Sequence, residues 1–207
     1  MAPYRNPQYQ CDFTERCVSG SVLHPGNAWS SVTYAALGLH LLWGMTPVAR
    51  PWTCTVEGWT LLWFAWLSFR YHATESDWTG ALDITMVIHL CMSCLWQLAG
   101  FDDLTALGMA WLVTLVLLCD DCRTEPPQTM AVRFMMPILV VLVVAILGLL
   151  LQAGTYLSFA LFASGFAVKL LDLACARRGT RAGAVNGTSA FHVLTCSAMY
   201  LHYTAAL

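Results

Sequence analysis

The chain has 207 residues, of which 58% are hydrophobic and 11% are charged, and its mean hydropathy is +0.61. This balance excludes an ordinary soluble domain, in which about a quarter of the residues are charged, and it predicts an integral membrane protein. The formal net charge of -2 argues against a nucleic-acid partner, which would need a basic surface.

Seven apolar stretches follow a polar amino-terminal segment, residues 1–27, and each is near the roughly 20 residues that a helix needs to cross a bilayer. They run from Ala28 to Val48, Cys54 to Tyr71, Gly80 to Ala99, Leu104 to Cys119, Phe134 to Leu151, Tyr156 to Ala176 and Thr188 to Leu207. The sequence therefore predicts an all-α fold, in which residues 28–207 form an integral membrane bundle of seven transmembrane helices. Neither an internal repeat nor a separate soluble domain is expected.

The basic residues set the expected orientation. With seven spans, the amino terminus shares one side of the membrane with every second loop, and only Arg50 falls on the other side. The basic residues on the amino-terminal side are Arg5, Arg16, Arg70, Arg123, Arg133, Arg177, Arg178 and Arg181, with Lys169 close by. Because positive charge favours the cytosolic side, the amino terminus is expected in the cytosol. In a eukaryotic cell, the expected membrane is that of the endoplasmic reticulum or the Golgi.

Four polar residues stand out near the ends of these stretches. Ser68 and His72 are four residues apart and so share one helix face, at the end of the second stretch. Asp83 lies about a turn into the third stretch, and His192 lies about a turn into the seventh. Under the expected topology all four are at the cytosolic end. Ionisable groups inside a membrane are costly, so they indicate a functional site.

These residue types suit metal-dependent hydrolysis. Imidazoles from separate helices can bind Zn²⁺, and a neighbouring carboxylate can accept a proton from metal-bound water. A serine can donate a hydrogen bond to a developing oxyanion, and apolar surroundings suit a lipid substrate. The alternative is structural, because polar side chains also join membrane helices by hydrogen bonds.

The motifs resemble those of the alkaline ceramidase family, which belongs to a superfamily of seven-span membrane hydrolases that includes adiponectin receptors and GPI-lipid remodelling proteins. The resemblance rests on Ser68-x-x-x-His72 with Asp83 after it, and on His192-Val193-Leu194-Thr195 and Tyr200-Leu201-His202 near the end. Two amino-terminal segments are also similar: Asp12-Phe13-Thr14-Glu15 to the family's Asp-Trp-Cys-Glu, and Asn27-Ala28-Trp29-Ser30 to its Asn-Thr-Trp-Ser.

The resemblance implies hydrolysis of a ceramide amide to sphingosine and a fatty acid. His72 and His192 would be zinc ligands. Asp83 would be the base that activates the zinc-bound water, and Ser68 would stabilise the amide oxyanion. The implied partners are a ceramide-like membrane lipid and the bilayer itself.

One departure from the family pattern concerns the zinc ligands. The family has His-x-x-x-His in its last span, whereas here Thr188 stands at the first of these positions and only His192 remains. A catalytic zinc normally has three protein ligands, so this site would be one ligand short. The candidates for a third ligand are Thr188 itself, Cys196 four residues beyond His192, and His24 in the amino-terminal segment.

A second departure concerns calcium. The resemblance implies a Ca²⁺ site that includes Asp12 and Glu15, but His24 stands where the family has a calcium-binding glutamate. Ca²⁺ takes roughly six or more oxygen ligands, so the change weakens this site. The sequence therefore leaves open an active zinc-dependent amidase and a catalytically inactive relative that binds lipid or a membrane partner. A channel or transporter is disfavoured, because the ionisable residues collect at one end.

Two further ionisable positions are expected to lie outside the site. Glu57 begins the second stretch on the non-cytosolic side, where it is expected to be solvated. Lys169 and Asp172 are three residues apart near the cytosolic end of the sixth stretch. They are expected to form a pair in which the lysine extends to the membrane surface.

Overall fold

The computed structural model describes residues 22–44, 51–74, 77–121, 128–178 and 186–205. Within these ranges all regular secondary structure is helical, which confirms the all-α prediction. The elements are α1 (Pro25–Ser30), α2 (Val32–Leu39), a π-helical turn (His40–Gly44), α3 (Pro51–Thr74), α4 (Asp77–Leu98), α5 (Asp103–Asp121), α6 (Gln128–Gln152), α7 (Tyr156–Arg177) and α8 (Gly187–Ala205). Each predicted apolar stretch coincides with one long helix, or with the composite of α1, α2 and the π-helical turn.

Two of the described helices are long and apolar enough to cross a membrane. These segments are Thr79–Leu98 within α4 and Tyr156–Ala176 within α7. Shorter apolar segments, Leu104–Val116 and Leu139–Gln152, lie within α5 and α6. The described helices therefore support an association with a membrane.

The first helical composite is interrupted at Ser31. The Ser31 N–H bonds to the Ala28 carbonyl at 3.2 Å, and the Tyr34 N–H bonds to the Ser31 carbonyl at 3.1 Å. These tight bonds span three residues and separate α1 from α2. Pro25 suits the first turn of α1, because its missing N–H would have no helical partner there. The interruption brings Ser30 to α8 and Ser31 to α3.

The residues just before α1 are bonded to the end of α3. The Leu23 N–H donates to the Ala73 carbonyl, and the His24 N–H donates to the His72 carbonyl, each at 3.0 Å. The last carbonyls of a helix have no partner within it, so these bonds satisfy two of them. The main chain around His72 is therefore held from outside its own helix.

The apolar core has two clusters that share α4. The first joins α2, α3, α4 and α8 through residues such as Leu61, Phe64, Met86 and Met199. The second joins α4, α6 and α7 through residues such as Ile88, Ile146 and Phe162. Because α4 contributes to both clusters, it lies centrally, and Asp83 near its start has helices around it.

The expectation that Glu57 is solvated is wrong. Its side chain is 2% exposed, and the Ser93 hydroxyl of α4 donates a hydrogen bond to its Oε1. Glu57 faces α4 because the neighbouring Gly58 packs closely against Gly38 of α2, where an added Cβ would have no room. The hydrogen bond offsets part of the cost of burying the carboxyl group.

Candidate active site

The candidate site lies where α3 and α7 end and where α4 and α8 begin. The rings of His72 and His192 are 5.4 Å apart between centroids, with an angle of 51° between their planes. The Ser68 hydroxyl lies within hydrogen-bonding reach of the Asp83 carboxylate. The structure thus brings together side chains from α3, α4 and α8 that are up to 124 positions apart in the chain (192 minus 68).

The tautomer of His192 follows from its neighbours. Ser30 donates its one hydroxyl proton to the Asn27 carbonyl at 2.9 Å, so its oxygen is an acceptor for the His192 Nδ1 atom, also at 2.9 Å. The Asn27 carbonyl also accepts a hydrogen bond from this ring. Nδ1 is therefore assigned the proton, and Nε2 carries the lone pair. Metal-binding histidines are commonly oriented in this way.

The two histidines fit a shared metal ion. In a tetrahedral site with Zn–N bonds of about 2.0–2.1 Å, two imidazole centroids lie about 5 Å apart. The observed 5.4 Å between His72 and His192 is close to that value. Both side chains are buried, at 2% and 4% exposure. These two rings therefore suit two of the expected zinc ligands.

The Thr188 hydroxyl is already hydrogen-bonded to two charged side chains. Its Oγ1 accepts a hydrogen bond from the Lys169 Nζ at 2.8 Å and donates one to the Asp172 Oδ2 at 2.5 Å. A hydroxyl that bridges an ammonium and a carboxylate is a poor zinc ligand. Of the three candidates for the third ligand, Thr188 is accordingly the least suited.

The other two candidates differ in position. The Cys196 thiol donates to the Thr33 carbonyl at 3.1 Å, which turns it towards α2. His24 is 3% exposed and interacts electrostatically with His72, so it is the better placed of the two. Within the described ranges, no group of three or more His, Cys, Asp or Glu side chains is arranged to hold a metal ion. The donor set thus fits two ligands and leaves the third open.

The calcium-site residues Asp12 and Glu15 lie outside the described residues. The calcium site stays a prediction.

Ser68 is bonded to Asp83 in a way that limits its role. The Ser31 hydroxyl proton is shared between Ser68 Oγ at 3.0 Å and the Asn27 carbonyl at 3.1 Å, and the Ser68 hydroxyl donates to the Asp83 carboxylate. A serine has a single hydroxyl proton, and an ionised carboxylate only accepts. In this arrangement the Ser68 proton is directed at Asp83 and not at a substrate oxygen. The Asp83 Oδ1 atom is buried and has no hydrogen-bond partner among the described residues, so it can accept a proton.

Lys169 belongs to the site, which the sequence reasoning missed. Its ammonium contacts the Thr188 hydroxyl of α8, and it interacts electrostatically with His72, Asp83 and His192. Lys169 and Asp172 are joined through Thr188, and the expected extension of the half-buried lysine to the membrane surface stays a prediction. The sequence offered one indication of this contact, because Lys169 and Thr188 both lie near the connection between α7 and α8, two consecutive antiparallel helices.

Comparisons with family models, with curated proteins and with solved structures found no match. The function is therefore argued from the site itself.

A narrow apolar cavity lies beside the site. Its lining includes Tyr34, Phe64, Leu90, Cys94, Phe162 and Met199. The Tyr34 ring contacts the His192 ring, with 5.7 Å between centroids, and its hydroxyl lies 2.9 Å from the Thr195 Oγ1. The cavity thus lies between the neighbourhood of His192 and the apolar core, and its volume of about 30 Å³ is too small to hold an acyl chain in this conformation.

Proposed function

We propose that the chain is a membrane-embedded hydrolase that cleaves the amide of a ceramide-like sphingolipid into sphingosine and a fatty acid. His72 and His192 would hold a zinc ion, and Asp83 would act as the base. The observation that carries the proposal is the contact between two buried imidazoles from separate helices, with the Asp83 carboxylate of a third helix hydrogen-bonded to Ser68, about one turn before His72. Ionisable groups gathered in an apolar bundle are costly unless they serve a purpose.

The proposal includes a seven-span topology with the amino terminus in the cytosol. The composite of α1, α2 and the π-helical turn would be the first span, and α3 to α8 would be the others. The apolar segments of α4 and α7 support it, as does the bias of basic residues to one side. Exposed apolar side chains on the outside of α6 and α7, such as Val141 and Leu171, also suit a lipid environment.

The proposed reaction consumes one water molecule. The water oxygen attacks the amide carbon, one water proton passes to the Asp83 Oδ1, and the carbonyl electron pair moves onto the carbonyl oxygen. When that pair returns, the C–N bond breaks and the leaving nitrogen takes the proton from Asp83. After the carboxylic acid proton also passes to the amine, the products are a fatty-acid carboxylate and a sphingoid ammonium. A bound zinc ion would supply Lewis acidity to this step.

Metal content and turnover together test the proposal. We expect the purified wild type, in detergent with a synthetic ceramide, to contain about one zinc per chain and to release fatty acid. His192→Ala should lose the zinc and lower turnover roughly a hundredfold or more, because even hydrogen-bond partners of metal ligands typically matter 10- to 100-fold. Elemental analysis and fatty-acid release are the measurements.

His202→Ala is the matched control for that experiment. It removes an imidazole from the same helix, α8, where His202 contacts Gln97 at 3.3 Å and lies about three turns beyond His192. It should keep both zinc and turnover. A wild type that neither contains zinc nor cleaves the ceramide would exclude the proposed enzyme.

A second candidate function is a catalytically inactive lipid-binding protein. It is favoured by Thr188, which stands where the resemblance expects a histidine and whose hydroxyl is held by Lys169 and Asp172. This protein would bind ceramide at about one molecule per chain, without zinc and without releasing fatty acid. The same two measurements, with ceramide binding added, separate the two functions.

A further inference from the structure

We propose that Lys169 is a catalytic residue that stabilises the oxyanion of the amide reaction, and that Ser68 is a positioning residue for Asp83. This inference rests on the proposed function and assigns a role to a side chain that the sequence motifs do not include. It starts from a contact: the Lys169 ammonium of α7 is hydrogen-bonded to Thr188 of α8, about one helical turn before His192, whose ring contacts that of His72.

Ser68 has no second hydroxyl proton to donate to a substrate oxygen. The negative charge that develops on a carbonyl oxygen needs donors or a cation aimed at it. Ser68 has one hydroxyl proton, and that proton is directed at Asp83, while its oxygen accepts from Ser31. Donating to the substrate would require Ser68 to abandon the base that it orients. Besides the Lewis acidity that a bound zinc ion would supply, the oxyanion can therefore be stabilised by a group other than Ser68.

Lys169 lies beside Thr188, near the groups assigned to the reaction. Its ammonium lies 2.8 Å from the Thr188 Oγ1, and Thr188 is about one helical turn before His192 on α8. The groups with which it interacts electrostatically are His72, Asp83 and His192. Lys169 is thus the common cationic neighbour of the three groups assigned to the reaction. The Lys169 side chain is half-buried, and a positive charge acts more strongly on a nearby negative charge there than in bulk water.

The Lys169 ammonium is held in place by Thr188, which is hydrogen-bonded to Asp172. Thr188 accepts from Lys169 and donates to Asp172, which is one turn further along α7. Gly187 lets the two helices approach, because an added Cβ would lie 2.4 Å from the Val168 carbonyl oxygen. Thr188 therefore has a structural purpose as a threonine: it fixes the lysine that faces the reacting group.

In this reaction Lys169 acts only on the oxyanion that forms at the carbonyl oxygen. As the water oxygen bonds to the amide carbon, the carbonyl electron pair becomes an oxyanion, and the Lys169 ammonium stabilises it through its charge and its N–H donors. No proton leaves Lys169. When the pair returns to form the carboxyl group and the C–N bond breaks, the ammonium faces the carboxylate of the fatty-acid product.

The first test is kinetic. Lys169→Met removes the charge, and Lys169→Gln removes the charge while keeping a donor for Thr188. We expect both to lower kcat about 100- to 1,000-fold, the usual effect of losing an oxyanion donor, with KM changed only a few-fold. Lys169→Arg should recover part of the loss. Zinc content should match the wild type in all three, and a Lys169→Gln protein with wild-type kcat would overturn the proposal.

The second test measures binding, so it does not depend on turnover. A long-chain fatty acid carries an anionic oxygen where the oxyanion forms, and the primary alcohol of equal chain length does not. Wild-type protein should bind the acid at least about tenfold more tightly than the alcohol, and Lys169→Gln should reduce that preference severalfold, although a bound zinc ion would retain part of it. Ser68→Ala should lower kcat but keep the preference, because Ser68 acts through Asp83.

The outcomes of these tests remain distinguishable from those of the proposed function. If the wild type cleaves ceramide and Lys169→Gln keeps both kcat and the preference for the acid, Lys169 is not the oxyanion group and the hydrolase proposal is untouched. If Ser68→Ala abolishes the preference and Lys169→Gln does not, the oxyanion role returns to Ser68. A wild type without zinc or turnover overturns both proposals.

Discussion

Asp83→Asn should reduce turnover of a ceramide by about 100- to 10,000-fold, the range usual for loss of a general base. Asparagine has the size of aspartate and can still accept the Ser68 hydrogen bond, but it cannot take a proton from water. The buried Oδ1 atom, which has no hydrogen-bond partner among the described residues, is the acceptor that the variant removes. Zinc content and thermal unfolding should be unchanged, and steady-state release of fatty acid is the measurement.

Asp102→Asn is the matched control for this variant. Asp102 is exposed just before α5, where the Thr105 N–H donates to its Oδ1 at 3.0 Å and the Thr105 hydroxyl donates to its Oδ2 at 2.6 Å. The Thr105 hydroxyl, followed by the Thr105 N–H, lowers the pKa of this carboxyl group. Asparagine caps helices as well as aspartate does, so turnover should stay at the wild-type level. Equal losses in the two variants would remove Asp83 from the mechanism.

Gly187→Ala should destabilise the protein by about 1–3 kcal/mol, the usual cost of overpacking, and should also impair the site. A Cβ at this position would lie 2.4 Å from both the Val168 carbonyl oxygen and the Asp172 Cβ. Because one of these atoms belongs to the backbone, α7 and α8 would have to move apart. That movement would separate Lys169 from Thr188. Thermal unfolding in detergent and kcat measure the two effects.

Gly148→Ala provides the opposite control. Gly148 lies within α6, and an added Cβ there would meet nothing within 4 Å. Alanine is favoured over glycine in a helix, so this variant should be more stable by about 0.5–1 kcal/mol, with unchanged turnover. A Gly187→Ala protein as stable as Gly148→Ala would show that the approach of α7 to α8 is not tight.

The helices were predictable from the sequence because length and apolar composition are properties of single segments. The stretches from Tyr156 to Ala176 and from Gly80 to Ala99 match α7 and α4 closely. The interruption at Ser31 and the π-helical turn at His40–Gly44 were not predicted, because the stretches were read from their length and apolar composition. These breaks depend on local hydrogen bonds that contribute nothing to average hydropathy.

The sequence was enough to predict the level of the site along the helices, but not which side chains face it. Counting residues from each helix end was enough to expect His72 and His192 at one level of the bundle, and their rings are in contact there. The side of a helix that meets its neighbour is decided by packing, which the sequence does not specify. For that reason Glu57 was assigned to the wrong surroundings.

The main-chain hydrogen bonds from Leu23 and His24 to the end of α3 connect the segment before α1 directly to the main chain of His72. His72 shares its peptide carbonyl with this connection, so a displacement of Leu23 and His24 would reach the main chain of His72 directly, without passing through the core clusters.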